Sequence, residues 1–144
     1  MSEYETHEYD VIVIGAGGAG LRAAIEAARS GAKTAIICKS LLGKAHTVMA
    51  EGGAAAALGN ADDRDGWKVH FKDTMKGGKY LNNWRMAQIH AQESADRIRE
   101  LEQWGAVFDR TPAGLINQRN FGGHTYPRLA HVADSTGLEI IRTL

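Results

Sequence analysis

A β-branched run, Tyr9-Asp-Val-Ile-Val-Ile14, leads directly into Gly15-Ala-Gly-Gly-Ala-Gly20. No other stretch of the chain restricts its fold as much. The near-continuous apolar run predicts a strand buried on both faces of a parallel sheet. Small and apolar residues at Ala19, Ala23, Ala24, Ala27 and Ala28 predict a helix over Ala19 to Arg29, packed closely on that sheet and stopped at Gly31. Thr34 to Cys38 predicts a second strand. The span from about 8 to 40 therefore reads as a strand, helix, strand unit with a right-handed crossover.

The glycines match Gly-x-Gly-x-x-Gly where that pattern carries a mechanism, after a buried strand and at a helix start. Gly15 permits the tight turn, Gly17 lets a pyrophosphate approach the backbone, and Gly20 lets the helix pack on the strand. Ala16, Gly18 and Ala19 complete the loop. Unpaired amides and the positive helix end would meet the anion's charge. A dinucleotide is thus expected. The acidic residue that commonly holds the ribose about 20 positions on is missing, because the second strand ends in Cys38-Lys39-Ser40. Lys39 suits the 2′-phosphate of NADP; Ser40 on the ribose with Lys39 near phosphate suits FAD. Spacing leaves both open. Cys38 reads as a small packing residue with no redox role.

A chain of 144 residues, 44% hydrophobic, supports one core, so one domain or part of one is expected. Lys plus Arg equal Asp plus Glu at 17 each, which gives a nucleic-acid partner no footing. The longest apolar runs, Val11 to Ile14 and Ala54 to Leu58, fall far short of the ~20 residues that span a bilayer. The acidic start Met1-Ser-Glu-Tyr-Glu5 lacks the order of a secretory signal, and a single Cys38 forms no internal disulfide. A cytoplasmic setting is expected.

Beyond residue 40, a segment from about 41 to 58 contains Ala45-His-Thr-Val-Met-Ala-Glu-Gly-Gly53 and then four alanines, which predict a short buried helix. Asp62, Asp63 and Asp65 read as a solvated loop, with no metal site. From about 66 to 104 the pattern is helical. Trp67 to Met75 is one helix, ended by Gly77-Gly78. Trp84 to Trp104 is a longer one, capped by Asn83, with Met86, Ile89, Ala95, Ile98, Leu101 and Trp104 at three- and four-residue intervals. The pairs Asp73/Lys76 and Glu93/Arg97 are spaced to support these helices. From 105 to 144, Thr111-Pro-Ala-Gly predicts a hairpin turn, and Asp134-Ser-Thr-Gly opens a helix, with Thr136 and Glu139 spaced as a capping box. That helix runs into Leu144 without a closing turn, as in a chain that is cut rather than finished.

The histidine segment resembles the Arg-Ser-His-Thr-(x)4-Gly-Gly stretch of the flavoprotein subunits of succinate dehydrogenase and fumarate reductase. Further matches follow in order: Gly15 to Gly20, Asp73-Thr-(x)2-Gly77-Gly78, Trp104-Gly105, Arg119-x-Phe121-Gly122-Gly123, Arg128, and Ala133-Asp134-x-Thr136-Gly137. The resemblance covers nearly the whole chain. It implies an α/β, Rossmann-like FAD-binding domain with a parallel sheet and helices, of which residues 1–144 are an incomplete amino-terminal portion. It further implies FAD bound covalently at His46, through the 8α-methyl of its ring, with Ala45, Thr47, Glu51, Gly52 and Gly53 alongside. Phe121 would lie by the dicarboxylate pocket; His124, beside the Gly122-Gly123 pair, more often satisfies local polar groups than touches substrate. Gly43-Lys44-Ala45 stands where the family has an Arg-Ser pair, so that serine's hydrogen bonds to flavin must be absent or replaced.

In such a flavoprotein succinate loses a proton from one methylene and a hydride from the other, giving fumarate, or the reverse. Electrons pass to an iron-sulfur subunit, then through a membrane anchor to quinone, so the flavoprotein would sit peripherally on the cytoplasmic face of the membrane. Glu51, where ubiquinone-linked enzymes commonly have Gln, leans toward menaquinone. The residues that move protons and clamp the substrate carboxylates would lie beyond this chain, leaving no catalytic residue within it. Two alternatives are a soluble relative such as an aspartate oxidase or fumarate reductase, against which His46 argues, and a non-redox NADP-binding module, supported by Lys39 alone.

Overall fold

The computed structural model describes residues 4–144; Met1 to Glu3, which belong to the acidic start, lie outside the described residues. Strands β1 (Val11–Ile14) and β2 (Thr34–Ile37) pair in parallel, Val11 opposite Thr34 and Ile14 opposite Ile37. Between them runs α1 (Gly18–Arg29), followed by Gly31 at φ +86°. The strand expected to be buried on both faces is covered on one. Val11 and Val13 are half-buried against α1, while Ile12 and Ile14 are 53% and 86% exposed, because among the described residues no element packs on that second face.

A 3-10 helix (His46–Met49) leads to β3 (Ala54–Ala55), which joins β4 (Gln118–Arg119) and β5 (Leu129–Ala130) in an antiparallel sheet of order β3-β5-β4. The alanine run is therefore a strand, not the short helix expected. Alanine favours a helix locally, but tertiary context overrides propensity, and here the backbone finds a non-local partner: Ala54 lies opposite Ala130, and Ala56 N donates to Arg128 O at 2.9 Å. Ala56 and Ala130 are fully buried and, with Ile98, Ala106, Phe108 and Ile116, form the core. Thr111 N bonds Leu115 O and Asn117 N bonds Asp109 O, so the hairpin around Thr111-Pro-Ala-Gly forms.

Helices α2 (Trp67–Gly77) and α3 (Trp84–Gln103) pack on each other beside this sheet. Asn83 caps α3 by accepting from Arg85 N and Met86 N. The buried stripe of α3 is Ala87, Ala91, Ser94 and Ile98, whereas Met86 and Ile89 are exposed. Small residues make up most of the buried face, so counting large apolar side chains misplaces its first turns and meets it only at Ile98.

Three local pairings also differ from expectation. Asp65, expected in a solvated loop, is buried with the fully buried Arg128, whose Nη2 lies 2.7 Å from Asp65 Oδ1 and 3.0 Å from Asp73 Oδ2. Asp73 thus faces Arg128 and Thr125 rather than Lys76, and Arg97 pairs with Glu100 rather than Glu93. At α4 (Thr136–Thr143) no capping box forms. Thr136 Oγ1 accepts from Val132 N, and Glu139 Oε1 reaches across to Val107 N, because tertiary partners outcompete the local ones.

Candidate functional site

The glycine turn is built from backbone. Gly15 sits at φ +108°, where a side chain is strained, and its N–H donates to Ile37 O at 2.8 Å, tying the turn to the end of β2. A Cβ on Gly20 would fall 1.9 Å from Gly15 O, so only glycine lets α1 begin this close to β1. Ala16 is buried beneath the turn. Gly17, the residue before α1, offers the helix no side-chain cap, which leaves the positive end of α1 facing outward.

The histidine segment lies on this turn. Thr47 Oγ1 accepts from Gly18 N at 3.0 Å, across 29 positions of sequence. A Cβ on Gly17 would meet Thr47 Oγ1 at 3.3 Å and Ala45 Cβ at 3.6 Å. His46 begins the 3-10 helix with its side chain exposed. From behind, α4 holds the segment: Gly137 N donates to Ala50 O at 2.7 Å, and a Cβ there would lie 2.0 Å from Thr47 O. Glu51 is exposed; Gly52 and Gly53 are half-buried, Gly53 at φ +113°.

Phe121, 60% exposed, stands at the far end of the same segment, its Cε2 3.8 Å from where a Cβ on Gly52 would be. Lys39 and Ser40 leave β2 beside the turn and are exposed. Cys38 is exposed as well, so it is not the packing residue expected, because β2 ends one residue earlier at Ile37. The arrangement is a cradle whose floor is glycine backbone, with the α1 amides beyond Gly18 lacking a side-chain cap and Lys39 at the end of β2. That donor set fits a dinucleotide pyrophosphate.

Arg128 is the group that sequence reasoning misses. In the sequence it is a lone match to a family pattern, yet in the fold it is the largest fully buried side chain. Its guanidinium joins Asp65, beside the start of α2, to Asp73, whose carboxylate also accepts from Thr125 N (2.8 Å) and Thr125 Oγ1 (2.7 Å). Burial pushes the Asp73 carboxyl up, but Thr125's two hydrogen bonds and the Arg128 charge bring it below the ordinary value of 3.8. At Asp65 burial prevails and raises it. Burial, then the Arg128 charge, holds His70 down at about 4, and the same causes lower His124. These histidines lie beside the buried Arg128 cluster, the His124 ring centre 6.2 Å from that of His70. His131, also buried, has Nδ1 2.9 Å from Asp109 Oδ2. Two aspartates flanking the first turns of a helix, with one arginine inside an apolar stretch, are the signal the sequence carries.

A family model described as "FAD binding domain" matches residues 10–144. The Mycobacterium smegmatis Sdh1 chain solved in complex with UQ1 is 71% identical, with a TM-score of 0.93 over 95% of this chain and 23% of that one. Escherichia coli quinol fumarate reductase, in its FrdA E245Q form, is 40% identical with a TM-score of 0.90, over 97% of this chain and 24% of its own. The succinate dehydrogenase flavoprotein of Rickettsia felis is 43% identical over 96% of this chain and 24% of its own length. The chain spans about a quarter of the length of the relatives it matches.

Proposed function

The chain belongs to the FAD-binding domain family, and from that premise we propose that it is the amino-terminal part of a flavoprotein interconverting succinate and fumarate. The single observation that carries this is the Gly18 N to Thr47 Oγ1 bond, which sets the glycine turn and the histidine segment side by side. One ligand spanning both needs a pyrophosphate at one end and a ring at the other. FAD has that form. When bound it supplies the ring that accepts a hydride from a dicarboxylate or returns it.

In this reading Gly15, Ala16, Gly17, Gly18, Ala19 and Gly20 cradle the pyrophosphate, and Lys39 and Ser40 lie toward the ribose, with Cys38 at the strand end. His46, exposed on the 3-10 helix, is the covalent attachment point; Ala45 and Thr47 fix its placement, and Glu51, Gly52 and Gly53 flank the ring. Phe121 borders the substrate pocket. The whole flavoprotein is proposed to pass electrons first to an iron-sulfur subunit, then through a membrane anchor to quinone. Glu51 favours menaquinone, and the position is peripheral, on the cytoplasmic face. Among the described residues no helix is long and apolar enough to cross a membrane.

The test uses the full-length flavoprotein with its partner subunits. Anaerobic succinate is expected to bleach its flavin absorbance, and fumarate to restore it. Bleaching by aspartate alone would move the assignment to an aspartate oxidase. A colourless protein that binds NADP would overturn it.

A further inference from the structure

The backbone of Glu51 and Gly52 is gripped from one side by a single side chain. Arg119, at the end of β4, donates from Nη2 to Glu51 O at 2.5 Å and from Nε to Gly52 O at 2.8 Å. Its Nη1 lies 3.4 Å from Asp134 Oδ1, ahead of α4. The guanidinium is planar and its donors are fixed in a fork, so two carbonyls met by one such group are set in direction as well as distance.

A trans peptide points its N–H opposite to its C=O, and the described residues contain no cis peptide. With the carbonyls of Glu51 and Gly52 both turned to Arg119, the N–H groups of Gly52 and Gly53 are both turned away from it. Among the described residues neither N–H donates to any group. They are two neighbouring donors on the face opposite the guanidinium, and Gly52 and Gly53 have no Cβ to screen them. Gly53 can hold φ +113° only as glycine at low cost.

We propose that Arg119 is a positioning residue that aims the Gly52 and Gly53 amides at an electron-rich edge of the bound ring system. The ligand class follows from the donors: two adjacent N–H groups suit a heterocycle carrying a carbonyl or imine acceptor. The proposal rests on the FAD reading of the site, and deepens it by naming what orients the ring. Aspartate at 134 keeps the guanidinium from swinging off the carbonyls.

The test compares Arg119→Met, Arg119→Lys and the unmodified full-length flavoprotein with its partner subunits. Amide exchange read by mass spectrometry over residues 50–56 is expected to quicken at least tenfold in Arg119→Met, with exchange over α3 unchanged. Arg119→Lys keeps the charge beside Asp134 but loses the fork, and is expected to fall between. In both variants the bound flavin's reduction potential and visible spectrum are expected to shift at near-wild-type FAD content. Exchange over 50–56 equal to wild type would overturn the proposal. So would loosening of that segment with an unaltered potential and spectrum, or an equal rise in exchange over α3, which marks general unfolding. If the unmodified protein holds no FAD, the failure is that of the FAD reading, and the exchange data still decide the grip of Arg119.

Discussion

The two halves of this structure are held by different means. In the first, the Thr47 hydroxyl on the Gly18 amide joins the histidine segment to a glycine turn built of backbone, with few side chains between them and apolar Ile12, Ile14 and Ile37 left facing outward. In the second, buried charge joins the antiparallel sheet to α2, with Arg128 between Asp65 and Asp73. A backbone-built region leaves its amides available to a ligand, whereas the charge-locked region pairs its buried carboxylates with one guanidinium. The first half can therefore bind, and the second can hold still the segments that bind.

The largest test of that contrast is Arg128→Met in the full-length protein. It strands two carboxylates in a dry interior and is expected to cost about 3–5 kcal/mol in denaturant unfolding. Asp63→Asn, at an exposed position, is expected to stay within ~0.5 kcal/mol. Equal effects would erase the distinction between lock and loop.

Acid should strike the same half. His70 is held at about 4, below its ordinary 6.5. Between those values the unfolded chain takes up a proton that the folded chain refuses. Stability is therefore complete above pH 6.5 and falls as pH drops toward 4, by up to ~3 kcal/mol. His70→Gln should flatten the unfolding midpoint across that window; an unchanged slope would remove His70 from the lock.

Gly20→Ala probes the backbone-built half. Its Cβ would sit 1.9 Å from Gly15 O, and a loss of ~2 kcal/mol is expected, with FAD content falling more than unfolding stability does. Smaller again is Thr47→Val, which removes the bond to Gly18 N. About 1 kcal/mol is expected, seen as weaker flavin retention on dilution. If Thr47→Val left flavin retention unchanged, the tie between turn and histidine segment would be incidental.

The binding half is more legible in the sequence than the locked half. Gly15, Gly17 and Gly20 lie within six residues, and each glycine's purpose is local, so a short pattern after a strand suffices. Asn83 and Gly31 are readable for the same reason. What escapes depends on distant partners. Ala54 and Ala55 form a strand because β5 is there to pair with them, and Asp73 leaves its helical neighbour Lys76 for Arg128 and Thr125. Thr136 and Glu139 have the spacing of a capping box but answer Val132 and Val107 instead. Ile12 and Ile14 read as buried on the strength of a strand pattern, which says nothing of whether a second layer is present.

The central claim is that His46, set against the glycine turn, carries FAD. The full-length flavoprotein, produced with its partner subunits and denatured in acid, should show flavin fluorescence on its own band in a gel. The band should go dark in His46→Ala while FAD is still bound before denaturation. A dark wild-type band, with all flavin released to the supernatant, would contradict covalent attachment and shift the assignment to a soluble relative of the same fold.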